Sequence, residues 1–277
     1  MLALTGEAGP LLSALALASA RMLGLLLILP LSTRLGLTGL LRGGVALALA
    51  LPVAPALLPL LLASPVGGAR LLLLGTKEAF VGLVLGILFA VPFWTAEAAG
   101  ELIDQQRGST GAVLPDPSQD AQTGITGTLL VLTLITIFFL NDGMRMLVDA
   151  VYDSYRVWPA LEAAPRLAGL ATAGGVTAGG GAGNAALLML GVFDRVLASG
   201  FLLASPLLVA MLLVELALAL VSRFAPQLNV FDLAMSLKGL VHVVGLPLYA
   251  VFLIGYLRDG LAPLTAFVDQ LHRLAGD

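Results

Sequence analysis

SPLLVAMLLVELALALVSRFAPQLNVFDLAMSLKGLV, residues 205–241, consists of two strongly apolar runs on either side of a more polar segment, residues 222–232. Proline lacks an N–H, fixes φ and disfavours helix in the residue before it. Pro226 should therefore end the first helix near Phe224 or Ala225. The stretch predicts a helical hairpin with a polar tip.

The hairpin also carries charges that need partners. Glu215 has apolar residues on both sides, and a charge at membrane depth costs a few kcal/mol unless it faces protein or water. Asn229 or Asp232 can cap the second helix. Lys238 lies six residues beyond Asp232, so its expected partner is Glu215 across the hairpin or a group on another subunit. The plainer alternative is that these charges only stabilise the turn.

Composition assigns the whole chain to the membrane class. The 277 residues are 59% hydrophobic and 11% charged, against about 25% charged in soluble domains, and the mean hydropathy is +1.01. A span needs roughly 20 apolar residues. The candidate spans are 10–31, 43–63, 79–100, 124–140, 185–221 and 237–257. We therefore predict an all-α membrane protein of about six hydrophobic helices arranged as hairpins.

Charge and cysteine content exclude several classes of protein. With no cysteine, the chain has no disulfide framework, no thiolate nucleophile and no Cys-ligated metal. A net charge of −3 leaves no basic patch for nucleic acid. Arginines follow the first, second and third spans alike, so the positive-inside rule gives no orientation. That pattern disfavours a simple serpentine bundle and favours helices buried against other subunits.

A Gly- and Ala-rich stretch divides the chain. We predict one domain, 1–277, with an N-terminal helical part (about 1–166), a linker (167–184) and a C-terminal hairpin and tail (185–277). The tail predicts a short, mildly amphipathic surface helix.

The end of the third span carries an acidic face. Glu97, Glu101 and Asp104 share one side of a helix, and Arg107 is close enough to pair with Asp104. Glycines and prolines from Gly108 onward should end that helix. The face is either solvated, or it belongs to a polar loop that lines or obstructs an aqueous passage.

The segment NDGMRMLVDAVYDSYRVWP, residues 141–159, predicts an amphipathic helix. Asn141 or Asp142 can cap its start, and Pro159 should stop it. Tyr152, Tyr155 and Trp158 suit an interfacial belt.

No catalytic constellation is evident in the sequence. His242 and His272 are separated by a span and lack metal-ligand spacing, and no phosphate-binding glycine motif is present. Arg21 and Glu97 can lie at helix ends and snorkel. Besides a protein channel, a small-solute secondary transporter and an intramembrane enzyme are the alternatives, although no inverted repeat and no catalytic spacing support them.

The hairpin sequence resembles the T component of type III secretion export gates, the SctT family (SpaR, YscT, HrcT), which is related to flagellar FliR. The motif residues are Glu215, Ser222, Arg223, Pro226, Gln227, Asn229, Val230, Phe231 and Lys238. Two further stretches agree: IDQQRG at 103–108 with PDP at 115–117, and residues 141–159. These two look more like the injectisome branch than the flagellar one.

The resemblance implies a helical assembly with R and S components that forms a gated channel for unfolded proteins. It also implies contacts with the U-type switch protein and the large export-gate component, and a site in the inner membrane, partly raised into the periplasmic basal-body ring. It implies no enzymatic activity and no cofactor. The implied plug loop, about 105–119, includes Gln105, Gln106, Arg107, Gly108, Ser109, Thr110, Gly111, Pro115, Asp116 and Pro117. The implied assembly contacts are Glu215, Arg223, Pro226, Gln227, Asn229, Phe231, Asp232 and Lys238.

Overall fold

A computed structural model describes residues 2–37, 39–63, 66–108, 113–114, 123–162, 182–224 and 230–275. Within these ranges the regular secondary structure is α-helical apart from one short antiparallel ladder. The helices are α1 (Leu2–Ile28), α2 (Pro30–Arg34), α3 (Gly39–Ala50), α4 (Ala54–Ala63), α5 (Gly68–Arg107), α6 (Ile125–Leu140), α7 (Gly143–Val157), α8 (Ala182–Phe224), α9 (Val230–Asp259) and α10 (Ala262–Ala275). Strands β1 (Val113–Leu114) and β2 (Thr123–Gly124) pair Val113 with Gly124 and Leu114 with Thr123.

The residues group into two compact units, both assembled from separate chain segments. Unit 1 contains Met1–Ala90, Asp142–Gly180 and Pro263–Asp277, and unit 2 contains Val91–Asn141 and Gly181–Ala262. The linker-based division of the sequence stays a prediction, and most of its linker lies outside the described residues.

In unit 1, α1 packs against α3, α4 and the first part of α5. Three glycines bring α1 and α5 into backbone contact. A side chain at Gly24 would collide with the carbonyl of Ala79, and one at Gly82 with the carbonyl of Arg21. Gly86 faces Leu25 in the same way. Small residues four apart allow this close approach of apolar helices.

In unit 2, α9 packs against both α8 and α6. Phe93 of α5 meets Phe138 of α6 edge to face, with ring centroids 5.6 Å apart. Gly100 faces the backbone of Gly127, so α5 and α6 also approach closely. The core of this unit is therefore an apolar packing of long helices.

Four described segments are long and apolar enough to cross a membrane, and the number rises to six if each bent helix pair is counted as one span. The segments are Gly9–Ile28, Gly68–Arg107, Leu190–Phe224 and Asp232–Arg273. The prediction of an all-α, multi-pass membrane protein with about six hydrophobic helices is confirmed.

Several predicted spans differ from the helices in extent. The predicted span 43–63 is two helices, α3 and α4, bent by 72°. Pro52 lies in the break, as its missing N–H requires. In contrast, the Asp194–Arg195 pair does not interrupt α8. Helix α5 is 40 residues long, whereas the span predicted from hydropathy covered only residues 79–100.

Candidate functional site

The predicted hairpin is present, and it brings Glu215 and Lys238 together. Helix α8 ends at Phe224, as Pro226 predicted. Lys238 Nζ of α9 lies 2.6 Å from Glu215 Oε1 of α8. The lysine side chain is 11% exposed and the glutamate side chain 40%. The ion pair predicted across the hairpin is therefore confirmed, with one partner still reachable from outside the chain.

This pair is connected to the end of α5. Gln106 Nε2 donates a hydrogen bond of 3.4 Å to Glu215 Oε2, the oxygen of that carboxylate not used by Lys238. Helix α5 ends one residue later at Arg107, and Gly108 has a φ of +78° that glycine adopts without strain. The base of the predicted plug loop is thus bonded to the hairpin.

Two of the three acids on the acidic face of α5 cap the next helix. Glu101 Oε1 accepts a hydrogen bond from the amide of Gly124. Asp104, which is 4% exposed, accepts from the Thr126 amide at 2.9 Å and from Thr126 Oγ1 at 2.6 Å. Gly124 is the N-cap residue of α6 and supplies no side-chain bond of its own. For Glu101 and Asp104 the solvated alternative is therefore wrong, because the first turn of α6 takes its acceptors from these two side chains.

Arg107 and His242 complete this cluster. Arg107 Nη2 lies 3.1 Å from Asp104 Oδ1, which confirms the predicted pair. Thr126 Oγ1 donates to a carboxylate and so presents a lone pair to His242 Nε2, 3.4 Å away. That arrangement requires the tautomer with hydrogen on Nε2. His242 is a buried, packed histidine, and its Nδ1 has no hydrogen-bond partner within the described ranges.

Unit 1 contains a second charged network, which sequence reasoning found only in part. Arg21 and Glu78 are both fully buried, with Arg21 Nε 2.8 Å from Glu78 Oε2. Arg21 also donates to Ser154 Oγ at 2.7 Å, and its guanidinium carbon lies 3.8 Å from the centre of the Tyr155 ring. The expectation that Arg21 snorkels is wrong, because a buried carboxylate on α5 satisfies it. Glu78 was missed, although a buried arginine calls for such a partner.

Basic side chains of this network hold the main chain that follows α7. Arg21 Nη2 donates to the Trp158 carbonyl at 2.9 Å. Lys77 Nζ contacts Glu78 at 2.7 Å and donates to the carbonyls of Pro159, Ala160 and Glu162 at 2.9–3.1 Å. We call residues 158–162, bound in this way, the carbonyl clamp.

The amphipathic helix predicted over 141–159 is confirmed as α7, with one correction. Neither residue caps it through its side chain: Asp142 is left-handed with φ 54° and makes no cap bond, and Asn141 Nδ2 donates back to Ile137 at the end of α6. Tyr152, Tyr155 and Trp158 are half-buried, and the interfacial belt stays a prediction. Tyr155 donates to the Ala18 carbonyl and Tyr152 to that of Leu49.

Several predicted residues lie outside the described ranges. These are Ser109, Thr110, Gly111, Pro115, Asp116, Pro117, Pro226, Gln227 and Asn229. Phe231 and Asp232 lie in the first turn of α9, and Arg223 is exposed in the last turn of α8. Within the described residues, no group of three His, Asp or Glu side chains could hold a metal ion.

Comparison with known proteins relates the chain to bacterial export proteins. A family model described as "Bacterial export proteins, family 1" matches residues 12–263. The chain belongs to this family. It is 37% identical to the "Yop proteins translocation protein T" of Yersinia pestis over 260 residues, which covers 91% of this chain and 93% of that protein.

Two further relatives are less similar to this chain. The "Surface presentation of antigens protein SpaR" of Salmonella typhimurium is 31% identical over 89% of this chain and 86% of its own length. The "Flagellar biosynthetic protein FliR" of Bacillus subtilis is 30% identical over 60% of each chain. The resemblance to the T component family, inferred from the hairpin motif, is therefore confirmed.

Proposed function

We propose that this protein is a non-enzymatic core component of the membrane export apparatus of a bacterial type III secretion system. The observation that carries the proposal is the 37% identity to the Yersinia translocation protein T across nine-tenths of both chains. The charged clusters fit this role, because each described one is used for helix capping or ion pairing and leaves no paired acid and base facing a cavity.

The proposed partners are the R and S components, with which the chain would form a gated channel for unfolded proteins. The U-type switch protein and the large export-gate component would contact the cytoplasmic side. Helices α8 and α9 support this, since they expose many large apolar side chains beside the partly exposed Glu215. The proposed location is the inner membrane, partly raised into the periplasmic basal-body ring.

A flagellar export role is the second candidate, and it is less well supported. The flagellar relative described above matches 60% of the chain, whereas the Yersinia protein matches 91%. These relatives are export proteins by name and give no support to the solute-transporter alternative.

Co-purification tests the assignment. The chain would be expressed with the R and S proteins encoded in the same genome and isolated through a tag on R. We expect all three in one stable complex, and an S or R preparation from which this chain is absent would overturn the proposal.

We also propose that residues 105–119 obstruct the closed channel. The support is that the base of this loop, at Gln106, is bonded to Glu215 of the hairpin. Deleting part of 108–118 should make resting cells expressing the complex leak a small dye. An unchanged dye uptake at equal complex level would remove the plug assignment.

A further inference from the structure

The α8–α9 hairpin carries charged side chains at two places, one near its turn and one near its open end. Near the turn, Glu215 and Lys238 form an ion pair. Near the open end, both helices expose charges: Asp194, Arg195, Arg258 and Asp259. Between the two places lie residues 196–214 of α8 and 239–257 of α9, runs of 19 residues each without Asp, Glu, Lys or Arg. We call each charged place a charged level.

Two contacts show that the charged levels have the same height on both helices. Lys238 bonds Glu215, and a Cβ at Gly245 would lie 2.9 Å from Leu207 Cδ2. Both contacts follow one antiparallel register to within a single residue. Because α-helices rise 1.5 Å per residue, the same register brings the open-end charges of α8 level with those of α9. The two uncharged runs therefore lie side by side over their whole length.

Helix α8 is too long for all of its apolar surface to lie in hydrocarbon. The apolar segment Leu190–Phe224 has 35 residues and is therefore about 52 Å long. Fitting it into about 30 Å of hydrocarbon would need a tilt of more than about 50°, whereas membrane helices tilt by up to about 40°. In contrast, a run of 19 residues is about 28 Å long and matches the hydrocarbon thickness. The part of the hairpin between the charged levels is therefore the part that fits.

The surface between the charged levels is suited to lipid more than to another subunit. The exposed side chains of both runs are apolar, except that Tyr256, at the edge, carries a hydroxyl. His242 is 8% exposed and faces Thr126 of α6. Protein interfaces carry about one hydrogen bond per 100–200 Å², whereas exposed polar side chains are costly in hydrocarbon. On α9, exposed polar side chains begin beyond the level of the ion pair, at Asp232 and Ser236.

We propose that residues 196–214 and 239–257 form a lipid-contacting band whose partner is the hydrocarbon of the bilayer. The Glu215–Lys238 pair marks one edge of the hydrocarbon, and the open-end charges mark the other. The exposed apolar side chains beyond Glu215, among them Leu220 and Phe224, then lie outside the hydrocarbon and are covered by a protein partner. The band rests on the membrane class of the chain alone, whereas the protein cover beyond Glu215 rests on the proposed assembly with R and S.

The chain contains no cysteine, so the band can be mapped with single cysteines that carry a nitroxide spin label. The full chain is placed in vesicles of phosphatidylethanolamine and phosphatidylglycerol, alone and with the R and S proteins. Collisions with oxygen report contact with lipid, and collisions with a water-soluble nickel chelate report contact with water. A site covered by protein is shielded from both reagents.

The labelled positions are exposed, and the register pairs them at equal depth across the two helices. The three band pairs are Leu202→Cys with Val251→Cys, Val209→Cys with Val244→Cys, and Leu213→Cys with Leu240→Cys. The matched controls outside the band are Leu190→Cys on α8 and Ser236→Cys on α9.

We expect the ratio of oxygen to nickel collisions to be several-fold higher at the first two pairs than at Leu190→Cys and Ser236→Cys. The two members of each pair should give equal ratios. The third pair should give a lower ratio than the first two, because it lies nearest to the level of Glu215. These values should be the same with and without R and S.

Three results would overturn the band. Nickel collisions above oxygen collisions at the first two pairs would show that water covers this surface. Shielding from both reagents would show that protein covers it, and shielding only with R and S would assign it to a subunit interface in the assembly. Unequal ratios within the pairs would show that the charged levels are not the edges of the hydrocarbon.

The protein cover beyond Glu215 is tested separately at Phe224→Cys, where the unmodified side chain is 89% exposed. The label should meet the nickel chelate in the chain alone and become shielded when R and S are present. If it stays accessible in the complex, the protein cover is wrong and the band stands. If the chain does not associate with R and S at all, the proposed function fails, while the measurements on the chain alone still decide the band.

Discussion

The two units of the molecule treat buried charge differently. In unit 1, Arg21 and Glu78 are fully enclosed, and every nitrogen of the guanidinium has an acceptor within the same chain. In unit 2, Glu215 remains 40% exposed although it pairs with Lys238. The Arg21–Glu78 cluster of unit 1 is thus satisfied within the chain, while the hairpin of unit 2 keeps one charge partly exposed. The difference suggests that unit 1 supports the fold and unit 2 supports assembly.

The largest expected effect comes from breaking the enclosed pair. Arg21→Met removes the buried cation that bonds both oxygens of Glu78 and leaves Lys77 as the remaining basic partner of that carboxylate. Removing one member of a buried pair costs about 3–5 kcal/mol. We expect a large fall in the detergent melting temperature of the isolated chain. The double variant Arg21→Met/Glu78→Leu should recover part of the loss, because the buried carboxylate is removed together with the arginine and Lys77 keeps its bonds to three carbonyls. Equal melting temperatures for Arg21→Met and the unmodified chain would contradict the contrast between the units.

An intermediate effect is expected at the hairpin pair, and it should appear in assembly more than in stability. Lys238→Ala should change the stability of the isolated chain by no more than about 1 kcal/mol, because the Glu215 left behind is 40% exposed. Glu215→Ala should cost more, because it leaves the 11% exposed Lys238 without this partner. Each should still lower the yield of complex with R and S, because a partner that covers the pair would bury the remaining lone charge. The measurement is the amount of complex recovered, with Asp269→Ala as control. Equal yields for all three variants would count against a subunit contact here.

The smallest effect is expected on the surface of α7. Arg145 and Asp149 form an i,i+4 pair at 3.6 Å, with side chains 83% and 53% exposed. Such pairs contribute about 0.3–0.5 kcal/mol. Arg145→Ala should therefore leave the melting temperature almost unchanged, although it deletes the same type of side chain as Arg21→Met. A loss as large as that of Arg21→Met would show that burial does not decide the cost.

The sequence predicted those features that depend on near neighbours. The end of α8, the Glu215–Lys238 pair across a short turn and the amphipathic α7 all follow from local rules. It did not predict the Arg21–Glu78 pair, because 57 residues separate the two and periodicity reports a face but not what covers it. The capping of α6 was missed for the same reason. Glu101 and Asp104 were correctly placed on one face of α5, but the glycines of the TGITG segment gave the only local sign that acids from elsewhere would occupy that space.

The carbonyl clamp bears on how this chain can diverge. Arg21 and Lys77 bind the carbonyl oxygens of residues 158–162, atoms that every amino acid possesses. Mutation of the side chains at 160 and 162 therefore leaves the bound atoms in place. Related proteins can therefore differ in amino acid at both positions and still share the same backbone path. The side chains that fix the backbone of this segment belong to α1 and α5. A search for related proteins should therefore give more weight to Arg21, Lys77 and Glu78 than to the residues whose carbonyls they bind.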